Sequence, residues 1–339
     1  MLVSPLVLGL KSSRLDSEEI DLIKEINPFG VILFSRNILD KKQLKNYVSD
    51  IKKKISPDIH ILIDQEGGDV QRLRSPDWKI YPSFKTIGEI YNLSDHNGRM
   101  LSYCVGRLIS EDLRELGIDI NCSPCIDIRK PYTNNFLLNR TFSTDPDIII
   151  KLAKLMIHGF KDSGIIPILK HIPGHGRSTI DSHKGLPEVN AELRELLLDD
   201  FITFSELKDA PMAMTAHIKY SKIDNVPATF SKKIIQVIKE KIQFSGVIIS
   251  DDINMDALEG SIEKKIMDSL SAGCDIVLHC SGENLEILNF IKKIPKIDKD
   301  IIDKSLDKFK LSKKDEDSIT IDDVINKYYS ILDEYKIIL

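Results

Sequence analysis

Paired cysteines, a cleavable leader and long apolar runs are all missing or scarce in this chain of 339 residues. Its five cysteines are an odd number, and only Cys122 and Cys125 are spaced as a CxxC pair. A structural zinc site needs a second ligand pair, and none of that spacing follows. The cysteines therefore read as buried thiols, and the expected location is the reducing cytoplasm. The apolar run Val3–Leu10 is the only candidate targeting segment. It is too short to span a bilayer and lacks a basic start and a small-residue cleavage site, so it reads as a buried strand. A net charge of −5 offers no polyanion-binding surface, so neither nucleic acid nor a membrane is an expected partner. Arginine is scarce, 11 of the 47 basic residues, which makes an arginine beside a strand end worth noticing.

What is present is a repeating order. Apolar runs at Val3–Leu10, Gly30–Ser35, Ile59–Asp64, Ile118–Ser123, Ile166–His171, Pro211–His217, Gly246–Asp251 and Cys274–His279 alternate with helical patterns. They are rich in Ile, Val and Leu, as strands covered on both faces should be. Asp145-Pro146, Ser231 and Ser261 are placed to start helices. Closing helices are expected near Glu283–Lys292 and Ile321–Ile337. The Lys/Asp-rich stretch Lys292–Asp317 reads as a solvated, partly helical surface. Eight such units predict an α/β fold, a single-domain (β/α)8 TIM barrel over 1–295, with 296–339 a helical extension packed on it. A doubly wound open sheet is the alternative.

Active sites of such barrels lie at the C-terminal strand ends. Those ends are Phe34-Ser35-Arg36, Asp64-Gln65-Glu66, Asn121-Cys122-Ser123, Lys170-His171, His217, Ser250-Asp251-Asp252 and His279. Apolar strands running into charged groups and imidazoles point to a reactive mouth. Asp251, presented rigidly with little water, suits a nucleophile. Asp252 is expected on the opposite face. The segment Lys170–His183 (KHIPGHGRSTIDSH) leaves its strand with a cation and an imidazole and opens an unusually long connection, a candidate lid. Asp181 and His183 share a side there, and a carboxylate beside an imidazole makes a general acid usable near neutral pH. Asp64 can accept from ligand hydroxyls, and Arg72 can donate a charge-assisted pair. Glu66 and Arg74 fit surface ion pairs equally well, and Arg140 fits either an anchored site residue or a salt bridge. His217 stands between direct catalysis and a hydrogen-bonded core role. His279 reads as structural, and His60, His96 and His158 carry no functional weight.

These residues together resemble family 3 glycoside hydrolases, closely the single-domain bacterial β-N-acetylhexosaminidases of cell-wall recycling. The likeness rests on Gly30–Asn37 (GVILFSRN), Ile63–Gly68 (IDQEGG), Val70-Gln71-Arg72, Arg140-Thr141-Phe142, Lys170–His183, Met214–His217, Pro227–Phe230, and Ser250-Asp251-Asp252 with Met255. It spans about residues 1 to 290 of the barrel. The resemblance implies Asp251 as nucleophile, His183 as acid/base and Asp181 as its partner. It implies that Asp64, Arg72, Arg140, Lys170 and His171 hold a terminal N-acetylglucosamine. Relatives with a second domain take their acid from it; no such domain is expected here, so the acid must come from the barrel. The implied reaction is retaining hydrolysis of muropeptides, with no cofactor or metal, by a monomer. A histidine acid/base repels an anionic acceptor less than a carboxylate does, so phosphorolysis stays open. A metal-dependent hydrolase using Asp64, His171, His217 and Asp251, and a sugar-binding barrel without catalysis, are the rival readings.

Overall fold

Ile- and Val-rich segments must be covered on both faces, and a closed barrel does this. The computed structural model describes residues 1–311 and 319–339. Its barrel strands are β1 (Leu2–Gly9), β2 (Pro28–Leu33), β3 (His60–Ile63), β4 (Ile120–Asn121), β5 (Ile166–Ile172), β6 (Met212–Thr215), β7 (Val247–Ile249) and β8 (Val277–His279). From β1 to β7 each strand pairs in parallel with the next. The ring then closes. Strand β8 lies parallel to β1, with Leu6 opposite Val277. A parallel bridge joins Ile249 of β7 to Ile276, backed by Asp275 N–H to the Ile248 carbonyl at 2.8 Å and Ser250 N–H to the Ile276 carbonyl at 3.0 Å. The expected (β/α)8 barrel forms, and the open sheet does not.

Period-two alternation splits the core. Val7, Ile32, Leu62, Ile120, Ile168, Met212, Ile249 and Leu278 fill the barrel interior, while the residues between them meet the surrounding helices. Those helices start on the side-chain caps expected from sequence, Asp145 with Pro146 for Pro146–Asp162, Ser231 for Lys232–Glu240 and Ser261 for Ile262–Ala272, and Asp40 caps Lys41–Lys54 in the same way. Gly117 and Gly273, both left-handed, end two of them.

Two expectations need correction. Glu283–Lys292 is not a helix but two short 3-10 turns, Leu285–Asn289 and Ile291–Lys293. The Asn284 amide is tethered to the Gly9 carbonyl at 2.8 Å, and Pro295 stops the chain from winding further. The stretch Lys292–Asp317 is not simply solvated. Its helix Lys299–Leu311 closes the barrel's N-terminal end, with Leu306 buried among Val3, Val7 and Phe29 and Ile302 packed against them. Ile302 and Leu306 are four apart and share a helix face, a pattern the surrounding Lys and Asp obscure. Residues 312–317 of that stretch lie outside the described residues. The last helix, Ile321–Glu334, packs on Asp95–Leu116, and the Tyr328 hydroxyl donates to the Ile80 carbonyl at 3.1 Å. No helix among the described residues is long and apolar enough to cross a membrane.

Candidate active site

The inward rows of the barrel strands end in polar groups. Leu62 faces the interior, so Asp64 two residues on does too; Ile168 leads in the same way to Lys170, and Ile249 to Asp251. These three join Phe34, Arg72, Arg140, His171, His183, Met214, Met255, Leu278 and Cys280 around one cleft of about 280 Å³. That is about the small end of the range for small-molecule sites. Seven of the eight residues singled out in the sequence line this cleft; the eighth, Asp181, bonds to one of them.

The cleft's floor is an ion cluster. Lys170 Nζ lies 3.0 Å from Asp64 Oδ1 and 2.6 Å from Glu66 Oε1. Arg72 Nη2 lies 3.2 Å from Asp64 Oδ2. Arg140 grips Glu66 with two bonds, of 3.1 and 2.8 Å. Burial would raise both carboxyls, but the three cations outweigh it and hold them below the usual carboxylate range. Glu66 is thus no surface ion pair: its side chain is 1% exposed. Arg72 Nε is buried without a partner among the described residues, a donor left for a ligand. Glu66→Gln should cost about 3 kcal/mol, because it leaves Arg140 and Lys170 under-compensated in a buried setting. Urea unfolding checks this; a loss below about 1 kcal/mol would mean that the two cations relax to other partners.

Asp251 sits just past β7. One carboxylate oxygen accepts the Asp252 N–H at 2.8 Å, which leaves the other free toward the cleft. Burial pushes this carboxyl up, but the His217 and His171 rings and that N–H bring it below its ordinary value. Asp252 does not turn to the opposite face; it also lines the cleft. The strand has ended at Ile249, and Asp252 Oδ1 instead caps a turn by accepting from Asn254 N–H and Cys280 N–H, both at 3.0 Å. His217 lies behind this pair. Its Nε2 donates to the Asp252 carbonyl at 3.0 Å and its Nδ1 accepts from the Thr229 hydroxyl at 2.7 Å. Burial lowers its pKa, so the hydrogen-bonded supporting role is the one it takes. His279 bonds Asn284 at 3.1 Å within the core.

The long connection after β5 carries the second half of the site. Asp181 Oδ1 accepts from His183 N–H at 3.0 Å and meets His183 Nδ1 at 2.8 Å. Burial would raise Asp181, but these bonds hold it low. An ionised carboxylate only accepts, so Nδ1 carries the proton and Nε2 faces outward. The ring is 62% exposed, packed edge-on against Phe136. The segment is stapled at several points. Asn134 bonds the Ser178 and Thr179 carbonyls at 2.9 and 3.0 Å, Ala257 N–H reaches the Ser182 carbonyl at 3.2 Å, and Arg177 pairs with Glu195, Asp199 and Asp200.

Sequence reasoning missed Asp127. It is fully buried and bonds His171 Nδ1 at 2.8 Å; its signal was a lone carboxylate between two apolar residues, Ile126 and Ile128. With Cys125 and His171 it forms the group of metal-type donors found among the described residues, all within 4.8 Å. The donors already serve one another: the Cys125 thiol points at Asp127 Oδ2, at 3.2 Å, and burial raises that thiol's pKa. The set fits a proton-filled network better than a metal, whose thiolate ligand would first have to lose its proton. The His171 ring and buried N–H groups outweigh burial and bring Asp127 down to about 2. A lowered folded value stabilises above the ordinary carboxylate range and is lost as pH falls through it. Asp64, Glu66, Asp127 and Asp251 all act in this direction. Urea midpoints should therefore hold steady down to about pH 4 and fall steeply toward about pH 2.

An ionised carboxylate, a second carboxylate–imidazole pair and a buried ion cluster at a barrel mouth are the parts of an enzyme that cleaves glycosidic bonds. The model of the glycosyl hydrolase family 3 N-terminal domain matches residues 4–309. A β-hexosaminidase of Alkalilimnicola ehrlichii is 34% identical over 286 residues, 83% of this chain and 82% of that one. The fold of native NagZ from Neisseria gonorrhoeae matches with a TM-score of 0.85 at 28% identity, over 98% of both chains. NagZ of the same organism in complex with N-trifluoroacetyl-D-glucosamine matches with a TM-score of 0.83 at 29% identity, over 98% of this chain and 97% of that one. The chain belongs to glycosyl hydrolase family 3 and is a glycoside hydrolase.

Proposed function

We propose that the chain is a retaining, exo-acting β-N-acetylglucosaminidase. It removes terminal N-acetylglucosamine from muropeptides, GlcNAc-β-1,4-1,6-anhydro-MurNAc with or without peptide, as a monomer in the cytoplasm. The observation that carries this is the meeting of Asp251 and His183 in one cleft floored by Asp64, Arg72, Arg140 and Lys170. The ion cluster presents donors and acceptors that grip sugar hydroxyls. The apolar wall of Phe34, Phe136, Met214 and Met255 suits an acetamido methyl. The N. gonorrhoeae relative that binds an N-acetylglucosamine analogue supports the same sugar.

In the first step the free oxygen of Asp251 attacks the anomeric carbon, and protonated His183 gives its Nε2 proton to the leaving oxygen. In the second, neutral His183 takes a proton from water, which displaces Asp251 from the sugar. Asp181 holds the imidazole in the right tautomer through both. The cleft's three cations are each already bonded to a carboxylate, so no observation favours phosphate over water as acceptor. Nitrophenyl N-acetyl-β-glucosaminide should be cleaved, with the β anomer as first product by NMR. Added phosphate should change neither rate nor product, and a disaccharide ending in 1,6-anhydro-MurNAc should release GlcNAc. No turnover of either substrate, with or without phosphate, would sink this reading in favour of a binding barrel.

A further inference from the structure

Asp127 stands outside the barrel strands and outside the cleft's lining, yet its carboxylate gathers four hydrogen-bonding groups. Its carboxylate accepts His175 N–H at 2.6 Å and His171 N–H at 3.2 to 3.3 Å. It also meets His171 Nδ1 at 2.8 Å and the Cys125 thiol at 3.2 Å. Asp127 has no exposed surface, and His171 has 4%. One backbone N–H belongs to the end of β5 and the other to the connection that leaves it, so one carboxylate fixes the peptide that carries His171 and the ring itself.

The two backbone N–H groups need Asp127 as acceptor, and the Cys125 thiol donates to it as well. A carboxylate held near 2 is ionised at neutral pH and has no proton to give. The proton in the Asp127–His171 bond therefore sits on His171 Nδ1. In the neutral ring the Nε2 lone pair is left over, and His171 lines the cleft. We infer that Asp127 is a positioning residue that fixes His171 in the Nδ1–H tautomer, so that the cleft reads a hydroxyl donor on the sugar through His171 Nε2. The charged and titratable groups around this pair are the Cys125 thiol at 3.2 Å, His175, packed edge-on 5.3 Å from the His171 ring, His217, and Asp251 and Lys170, which line the same cleft. His175 is itself neutral: burial brings it down to about 4, so it adds no charge that would pull the proton off Nδ1. The inference rests on the glycosidase reading only for the nature of the hydroxyl; the tautomer does not depend on it.

The test separates the two. Long-range ¹H–¹⁵N spectra of histidine-labelled wild type, assigned with His171→Gln, should show the neutral form of His171 protonated at Nδ1. Asp127→Asn keeps an oxygen for the backbone N–H groups but turns an amide N–H toward Nδ1, which forces the proton to Nε2. The His171 pattern should invert. Affinity for N-acetylglucosamine should fall about 100-fold by calorimetry, the scale of one misdirected, desolvated hydrogen bond. A wild-type spectrum with the proton on Nε2 overturns the inference, even if Asp127→Asn fails to fold. So does an Asp127→Asn variant that inverts the tautomer and still binds the sugar like wild type. An inactive wild type with the expected tautomer would count against the glycosidase reading alone.

Discussion

Asp251→Ala should release nitrophenol from nitrophenyl N-acetyl-β-glucosaminide about 10⁴- to 10⁶-fold more slowly than wild type, the scale on which loss of a covalent nucleophile is felt. The size follows from placement. Asp251 lies two residues beyond the end of β7, with one oxygen held by the Asp252 N–H and the other free in the cleft. No other lining carboxylate can replace it: Asp64 is bonded to Lys170 and Arg72, and Asp252 is occupied by its own turn. The fold should tolerate the change, because the side chain bonds only its neighbour's backbone; the melting temperature should move by a few degrees at most. Azide, small enough for the vacated space, should restore part of the rate and give the α-glycosyl azide. A loss under tenfold would remove Asp251 from the bond-forming role.

His183→Ala should divide substrates by what leaves. Nitrophenolate departs without help, so its release should slow about tenfold or less. A sugar alkoxide needs the proton, so the disaccharide should slow about 10²- to 10⁴-fold, the usual worth of a general acid. Asp181→Asn should reproduce most of that second loss, since an amide facing Nδ1 favours the wrong tautomer. Because the two residues act as one unit, the double variant should be no worse than His183→Ala. Stability should hardly change in any of the three, as the ring is 62% exposed. Equal losses on both substrates would assign His183 to binding rather than proton transfer.

How far these residues could be read in advance depended on what surrounds them. Asp64, Lys170 and Asp251 continue the inward rows of β3, β5 and β7, so a parity of two from Leu62, Ile168 and Ile249 already pointed them into the barrel. The Asp181–His183 pair is local in sequence, and its bond needs only the chain's own turn. Glu66 and Asp127 were harder. Both are set by partners far along the chain, Glu66 by Arg140 and Lys170, Asp127 by His171 and His175, and nothing in the neighbouring residues specifies those meetings. Asp252 misled because strand parity was carried past the strand's last residue. The helix Lys299–Leu311 misled because two apolar side chains, Ile302 and Leu306, do the sealing inside a run dominated by charge.

The cleft is assembled from two parts anchored to the barrel in different ways. Asp251 and the ion cluster of Asp64, Arg72, Arg140 and Lys170 sit on strand ends and the loops bonded to them, while His183 rides on a separate segment fastened mainly by Asn134, Arg177 and Ala257. Under the mechanism proposed above, recognition and proton delivery are therefore separable modules. The segment between its staples can be exchanged or redesigned for a different leaving group while the hold on the non-reducing sugar is kept, and a barrel of this kind can change what it releases without relearning what it grasps.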